Sequence, residues 1–335
     1  MDKLPIAIPS WIPPFQLDTI GLQSCQLGPR FPEWLRSQKD FLSLDISNAS
    51  ISDTVPHWFW THSNKVQHLN LYSNQLRGKV PNFSSKLNLS TLDLSNNNLG
   101  GPLPQFSPNM VSLVLAGNSF SGGISSLCEM LVPNSTLSYL DLSGNLLSGE
   151  IPDCWTYGRK LVILSLANNH LSGKIPNSIG HLVHLNTLHL ENNSITGELP
   201  LSFKNCTSLF VLDVGHNKLS GNIPAWIGEE MQNLMILRLC ANAFEENIPS
   251  QSVQLRFKNG TIPDGFGNLE SLECLDLSRN ELSCTIPASL SNLLFLSVLD
   301  LSHNGLSGKI PSGSGNQLGA FDATTYMGNR HLQMD

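Results

Sequence analysis

Apolar residues along this chain fall into a short motif that returns at near-constant spacing. In one clean copy, Leu161, Leu164, Leu166 and Leu171 are separated by outward or turn residues. Asn169 stands just before the last of them, and Gly173, Ile175 and Pro176 follow. Leu164 and Leu166 have the period of two that turns one face of a β-strand toward a core. Asn169 leaves that strand at a turn, where an amide can both donate to and accept from exposed backbone of adjacent coils. Gly173 and Pro176 set the backbone for a return leg and exclude a long helix there. Apolar residues three positions after the Pro (Leu35, Phe59, Ile179, Phe203, Ile227, Phe266 and Leu290) are predicted to close the core from the far side.

The position of Asn169 recurs at Cys25, Ala49, Asn74, Asn97, Asn118, Asn145, Asn193, Asn217, Asn242, Asn280 and Asn304, with equal steps from Asn145 through Asn169 and Asn193 to Asn217. A period in the twenties with this leucine spacing is the leucine-rich-repeat signature, in which each repeat is one coil of a solenoid. The expected fold is therefore of the α/β repeat class: a right-handed solenoid with a concave parallel sheet of about twelve short strands. The second side is expected to be irregular, with little helix. Residues 1–16 read as an irregular, uncapped lead-in, and 17–248 as about ten coils. Residues 249–263 read as an abbreviated coil or irregular connection, since the step from Asn242 to Asn280 is the longest in the series. Two further repeats occupy 264–312, and 313–335 is expected to be an irregular tail.

Composition agrees with an array. Charged residues make up 13% of the 335, and the 26 Gly and 20 Pro are spread at intervals as punctuation. The net charge of −7, without a clustered basic face, argues against a nucleic-acid partner. No apolar run approaches the ~20 residues that span a bilayer, and Met1–Phe15 lacks the apolar core of a secretory leader. Sequons at Asn48, Asn82, Asn88, Asn134, Asn192, Asn205 and Asn259 point to a secreted glycoprotein.

The Gly-x-Ile-Pro step resembles the plant-specific repeats of receptor-like proteins and receptor kinases, over about Phe15 to Tyr326. Three stretches sharpen the resemblance: Trp11 to Leu17 with Ser24-Cys25, Val55-Pro-His-Trp-Phe-Trp60, and Phe321-Asp-Ala-Thr-Thr-Tyr-Met-Gly-Asn329. They are similar to receptor-like proteins of the fungal-xylanase-receptor and apple-scab-resistance kind. The resemblance implies an outward-facing ectodomain at the plasma membrane that takes part in immune perception with partner kinases. By comparison with that family the chain reads as a truncated ectodomain, starting within the solenoid and ending before a membrane span. Ser250 to Asn259 reads as a deletion scar.

Three functional readings follow. The first is a non-enzymatic recognition module that binds a peptide, a protein or a co-receptor kinase in immune or developmental signalling. The second is a secreted inhibitor similar to polygalacturonase inhibitors, and the third a non-functional truncated paralogue. No nucleophile, phosphate-loop or metalloprotease motif occurs, and no cofactor is expected. No metal site is expected either, because His181 and His184 fall on the return leg while His189 points outward from a strand. Most outward strand positions are filled by a repeating Asp: Asp45, Asp93, Asp141, Asp213, Asp276 and Asp300. Departures from that filling mark the candidate ligand surface. One patch is His68, Asn70 and Tyr72; the other is His189, Glu191, Asp213, His216 and Arg238 over three successive coils. Trp34, Trp58 and Trp226 share one position after the repeat Pro, where convex-side packing is the favoured reading over a partner platform.

The seven Cys contain no C-x-x-C pair. Cys128 and Cys154 stand at nearly equal height on adjacent coils, within disulfide reach, and are predicted to pair. Cys25, in the Asn position, is expected to be buried and unpaired. Cys206, Cys240, Cys274 and Cys284 have no assigned partner.

Overall fold

The structure is a computed structural model. It describes residues 11–62, 65–82, 89–245, 260–311 and 318–333, and divides into two compact units, Met1–His170 and Leu171–Asp335.

Among the described residues of the first unit, seven short strands pair in parallel, in chain order and in register: β1 (Thr19–Gly21), β2 (Ser43–Asp45), β3 (His68–Asn70), β4 (Thr91–Asp93), β5 (Ser112–Val114), β6 (Tyr139–Asp141) and β7 (Ile163–Ser165). The middle residue of each strand is the repeat apolar position and is buried, as with Leu44, Leu92, Leu140 and Leu164. The second unit repeats the arrangement with β8 (Thr187–His189), β9 (Val211–Asp213), β10 (Ile236–Arg238), β11 (Cys274–Asp276) and β12 (Val298–Asp300). Both units are leucine-rich-repeat solenoid.

The amides knit coil to coil. Asn74 accepts from the Ala49 and Ile51 N–H groups at 3.1 and 3.0 Å and donates to the Ile46 and Leu71 carbonyls at 3.0 and 3.1 Å. Asn97, Asn118, Asn145, Asn217, Asn242 and Asn280 likewise each donate to a carbonyl of the preceding coil. The residue before each amide adopts left-handed backbone: Ser73, Asn96, Gly117, Gly144, Asn168, Asn192, His216, Ala241, Arg279 and His303. That geometry favours Gly and Asn, which accounts for the Asn-Asn and Gly-Asn pairs of the repeat.

The return legs are short 3₁₀ segments that begin at the repeat Pro, such as Asn177–His181, Leu201–Asn205, Asp264–Asn268 and Ala288–Asn292, with single α-helical turns at α1 (His57–His62) and α2 (Trp226–Glu230). Leu35, Phe59, Ile179, Phe203, Ile227, Phe266 and Leu290 are all buried behind the strands.

Three expectations need correction. The second side is not irregular. Residues after each amide form a further set of parallel strands, among them Asn98–Gly101 with Ser119–Gly122, and Ser194–Gly197 with Lys218–Gly221. The segment there runs extended up to a Gly with positive φ, so neighbouring coils present matching edges. The described part of the C-terminal segment is likewise ordered as a coil. The Thr325 and Met327 carbonyls accept from Leu301 and His303 N–H, Asn329 occupies the amide ladder, and His331–Gln333 pairs with Gly305–Lys309. Lastly, Cys25 is free but only half-buried.

Residues 249–259 of the expected connection, including Ser250 to Asn259, lie outside the described residues. Across that step β10 pairs directly with β11, Arg238 opposite Asp276.

Candidate ligand-binding face

The outward column on β8 to β11 carries His189, Asp213, Arg238 and Asp276 as register partners on adjacent strands. His189 Nδ1 lies 3.2 Å from Glu191 Oε2, and Arg238 donates to Asp213 Oδ2 at 3.4 Å. Asp213 is the buried member: its side chain is 8% exposed, against 43% for Arg238. Its Oδ1 accepts the Gly215 N–H at 3.1 Å. Burial and the neighbouring Glu191 charge push the Asp213 carboxyl above its ordinary value, against the opposing pull of Gly215 N–H and Arg238.

The Asp column has a structural duty that its repetition disguises as surface filling. Asp45, Asp93, Asp141, Asp276 and Asp300 each accept the backbone N–H of the Ser two positions on. This is the Asx arrangement that fixes a strand exit. In the copy at Asp213 the Ser is replaced by Gly215, and the Cys240 thiol packs there, 2.8 Å from where a Cβ would stand. The signal for that exchange is Asp213-Val-Gly-His216 within an Asp-Leu-Ser series, and sequence reasoning missed it. Cys240 and Cys274, on the coils of Arg238 and Asp276, are buried beside this column.

His216 does not join the cluster. It sits exposed on the left-handed turn after β9, with φ of 52°. In the first unit, His68 Nδ1 lies 2.8 Å from Thr91 Oγ1, and Asn70 donates to Asp45 Oδ2 at 3.2 Å. These residues line a shallow cavity of about 290 Å³ with Ser43, Asp93 and Val114. Tyr72 is exposed near them, its N–H bonded to Asn70 Oδ1.

The Trp row divides. Trp34 is buried against Trp11, and Trp58 packs on Phe31 under the Arg36 guanidinium. Trp226 is half-buried and lines a groove of about 380 Å³ with Glu198, Leu201 and Asn222. Cys128 and Cys154 are disulfide-bonded, Cα to Cα 5.6 Å. The sequon residues Asn48, Asn82, Asn134, Asn192 and Asn205 are exposed; Asn88 and Asn259 lie outside the described residues. No helix among the described residues is long and apolar enough to cross a membrane.

The family model described as Leucine Rich Repeat matches residues 65–87, 88–110, 136–157, 160–182, 184–206, 208–229, 271–293 and 295–317. Receptor-like protein EIX2 of Solanum lycopersicum is 39% identical over 155 residues, which is 46% of this chain and 15% of that protein. Receptor-like protein EIX1 of the same plant is 54% identical over 71 residues, 21% of this chain and 7% of that protein. The chain thus spans a small fraction of the length of these relatives. Among solved structures, the ectodomain of the Arabidopsis receptor kinase HAESA with an extended IDA peptide hormone superposes with a TM-score of 0.71 at 30% identity. That match covers 90% of this chain and 51% of that one. The chain belongs to the leucine-rich-repeat family, in the form carried by plant receptor-like proteins.

Proposed function

We propose that this chain is a recognition module that works by binding rather than catalysis, reading a peptide or protein ligand on its concave face at the plant cell surface. The observation that supports this most directly is the run of His189, Glu191, Asp213 and Arg238 on three adjacent strands, where the repeat itself requires none but the Asp. Strands about 4.8 Å apart hold such side chains as a rigid, continuous surface. Charged and aromatic groups on it set the specificity and orientation of a partner. Structural relatives support the class of ligand. HAESA is seen with the IDA peptide and the co-receptor SERK1, and RGFR1 with the peptide RGF2. By the same reasoning a co-receptor kinase is the expected partner, and immune or developmental signalling the expected process. His68, Asn70 and Tyr72 form a second, smaller reading surface, and the exposed sequons carry glycans.

The test uses the chain made through a secretory route. Its association with a panel of secreted plant peptides, a fungal xylanase and the SERK1 ectodomain is measured by calorimetry. His189, Glu191, His216 and Arg238 are then replaced together by Ala. Binding that weakens about tenfold or more, or roughly 1.4 kcal/mol, supports the reading. Equal binding by the variant, with an unchanged circular dichroism spectrum, removes the patch from recognition.

A further inference from the structure

The geometry points to a divalent transition-metal site on the concave face, formed by His189, Glu191 and Asp213. One ligand atom from each lies within 4.8 Å of the others. A tetrahedral ion with bonds of about 2.0 to 2.2 Å separates its donors by about 3.4 Å, and the His189 to Glu191 edge already measures 3.2 Å. A tetrahedral ion would draw the third donor from within 4.8 Å to that same spacing.

The backbone holds the set. His189 and Asp213 are register partners on β8 and β9, so their side chains leave the same face one strand apart. Glu191 follows His189 by two positions and leaves that face as well. Gly215 is packed against the Cys240 thiol, 2.8 Å from where a Cβ would stand, so the backbone that holds Asp213 is fixed from below. Asp213 Oδ1 accepts the Gly215 N–H, and Oδ2, which faces Arg238 at 3.4 Å, is the oxygen an ion would share or take over.

Among the described residues, this is the group of three or more His, Cys, Asp or Glu side chains whose donors converge closely enough to share an ion. The other outward Asp residues of the column lack a His and a Glu beside them.

The donor chemistry selects the ion. One imidazole with two carboxylates suits zinc or another late first-row divalent ion, whereas calcium and magnesium take all-oxygen shells. Arg238 competes for Asp213, but only across 3.4 Å and from a side chain 43% exposed. Three protein ligands leave a coordination position facing the concave side, open to water or to a carboxylate from a bound partner. Ion binding by the chain alone is independent of whether the face also takes a peptide.

The experiment is calorimetric titration of chelator-treated protein with zinc chloride, with thermal unfolding followed with and without the ion. One ion per chain is expected to bind the parent in the micromolar range and to raise its Tm, as any ligand of the native state does. His189→Ala and Asp213→Asn are each expected to weaken that binding at least about 100-fold and to lose the Tm shift. His184→Ala, on the return leg, is expected to change neither. No binding by the parent up to millimolar zinc overturns the site. So does a His189→Ala protein that is folded by circular dichroism and binds like the parent.

Discussion

Replacing a ladder amide removes both sides of a bridge at once. Asn145 accepts the Phe120 N–H at 3.0 Å and donates to the Leu115 and Leu142 carbonyls at 3.0 and 3.1 Å, all of them buried. An unsatisfied buried group costs about 1–3 kcal/mol, so Asn145→Ala is expected to lower the urea midpoint by a loss of that size or more. Asn145→Asp is expected to be worse, because a carboxylate faces two carbonyls with nothing to donate. A midpoint equal to the parent's would show that the ladder is decorative. The same scale sets thiol chemistry. Burial pushes the Cys206 and Cys240 thiols up to about 12 and raises that of Cys274. Cys25 and Cys284 are only half-buried. A thiol reagent at pH 8 is therefore expected to label Cys25 and Cys284 in native protein and the other three only after denaturation. The amide positions were legible from their period. The left-handed residue before each amide was not legible, because its cause is a backbone angle.

Individual coils differ in what fastens them. The Cys128–Cys154 bond closes a separation of 26 residues between adjacent coils, and the chain-entropy account gives such a crosslink about 3 kcal/mol. The double Ser variant is expected to unfold at lower urea by that order, and reductant is expected to shift the parent but not the variant. Near the C-terminus Tyr326 is buried, its hydroxyl donating to the Leu318 carbonyl, and burial raises its phenol to about 12. Below pH 10 both folded and unfolded forms are protonated and the contribution is full. Between pH 10 and about 12 the unfolded phenol ionises first, so stability falls as pH rises. Loosening of this segment in that window, followed by hydrogen exchange, is the expected outcome. Tyr326→Phe should flatten the pH dependence. The sequence marked this stretch through its resemblance, but its coil character was hidden. Its spacing lacks the repeat leucines, and only Asn329 keeps the ladder.

At the scale of the whole chain, the number and order of the strands that carry the repeat leucines followed from spacing alone, whereas the second set of strands did not. The concave cluster was half legible. His189, Glu191 and Arg238 stood out as departures from a repeating column, whereas His216 shared the departure and ended on a turn. A small offset along a strand exit separates those outcomes, and composition does not resolve it. The long step from Asn242 to Asn280 shows the same limit. Read as spacing, its excess over the ordinary period suggests a shortened coil. The described flanks instead complete one ordinary coil. Glu245 N–H donates to the Gly221 carbonyl, and one coil later Ser283 N–H donates to the Gly260 carbonyl, so Gly260 takes the place of Gly221. Thr261, Ile262 and Pro263 then reproduce Asn222, Ile223 and Pro224. Joining Glu245 to Gly260 makes the step from Asn242 to Asn280 equal to that from Asn280 to Asn304. Phe244 and Asn280 already bridge the step through the backbone N–H, at 3.2 Å, and Asn280 donates to the Leu239 carbonyl at 3.1 Å. Deleting residues 246–259 is therefore expected to leave the β10 to β11 pairing and the single unfolding transition of this unit intact. It should raise the urea midpoint slightly, because fewer residues between the same two fixed ends cost less closure entropy. If the deletion instead splits the transition in two, or exposes the amides of β11 to rapid hydrogen exchange, the deleted segment is part of the coil rather than an addition to it.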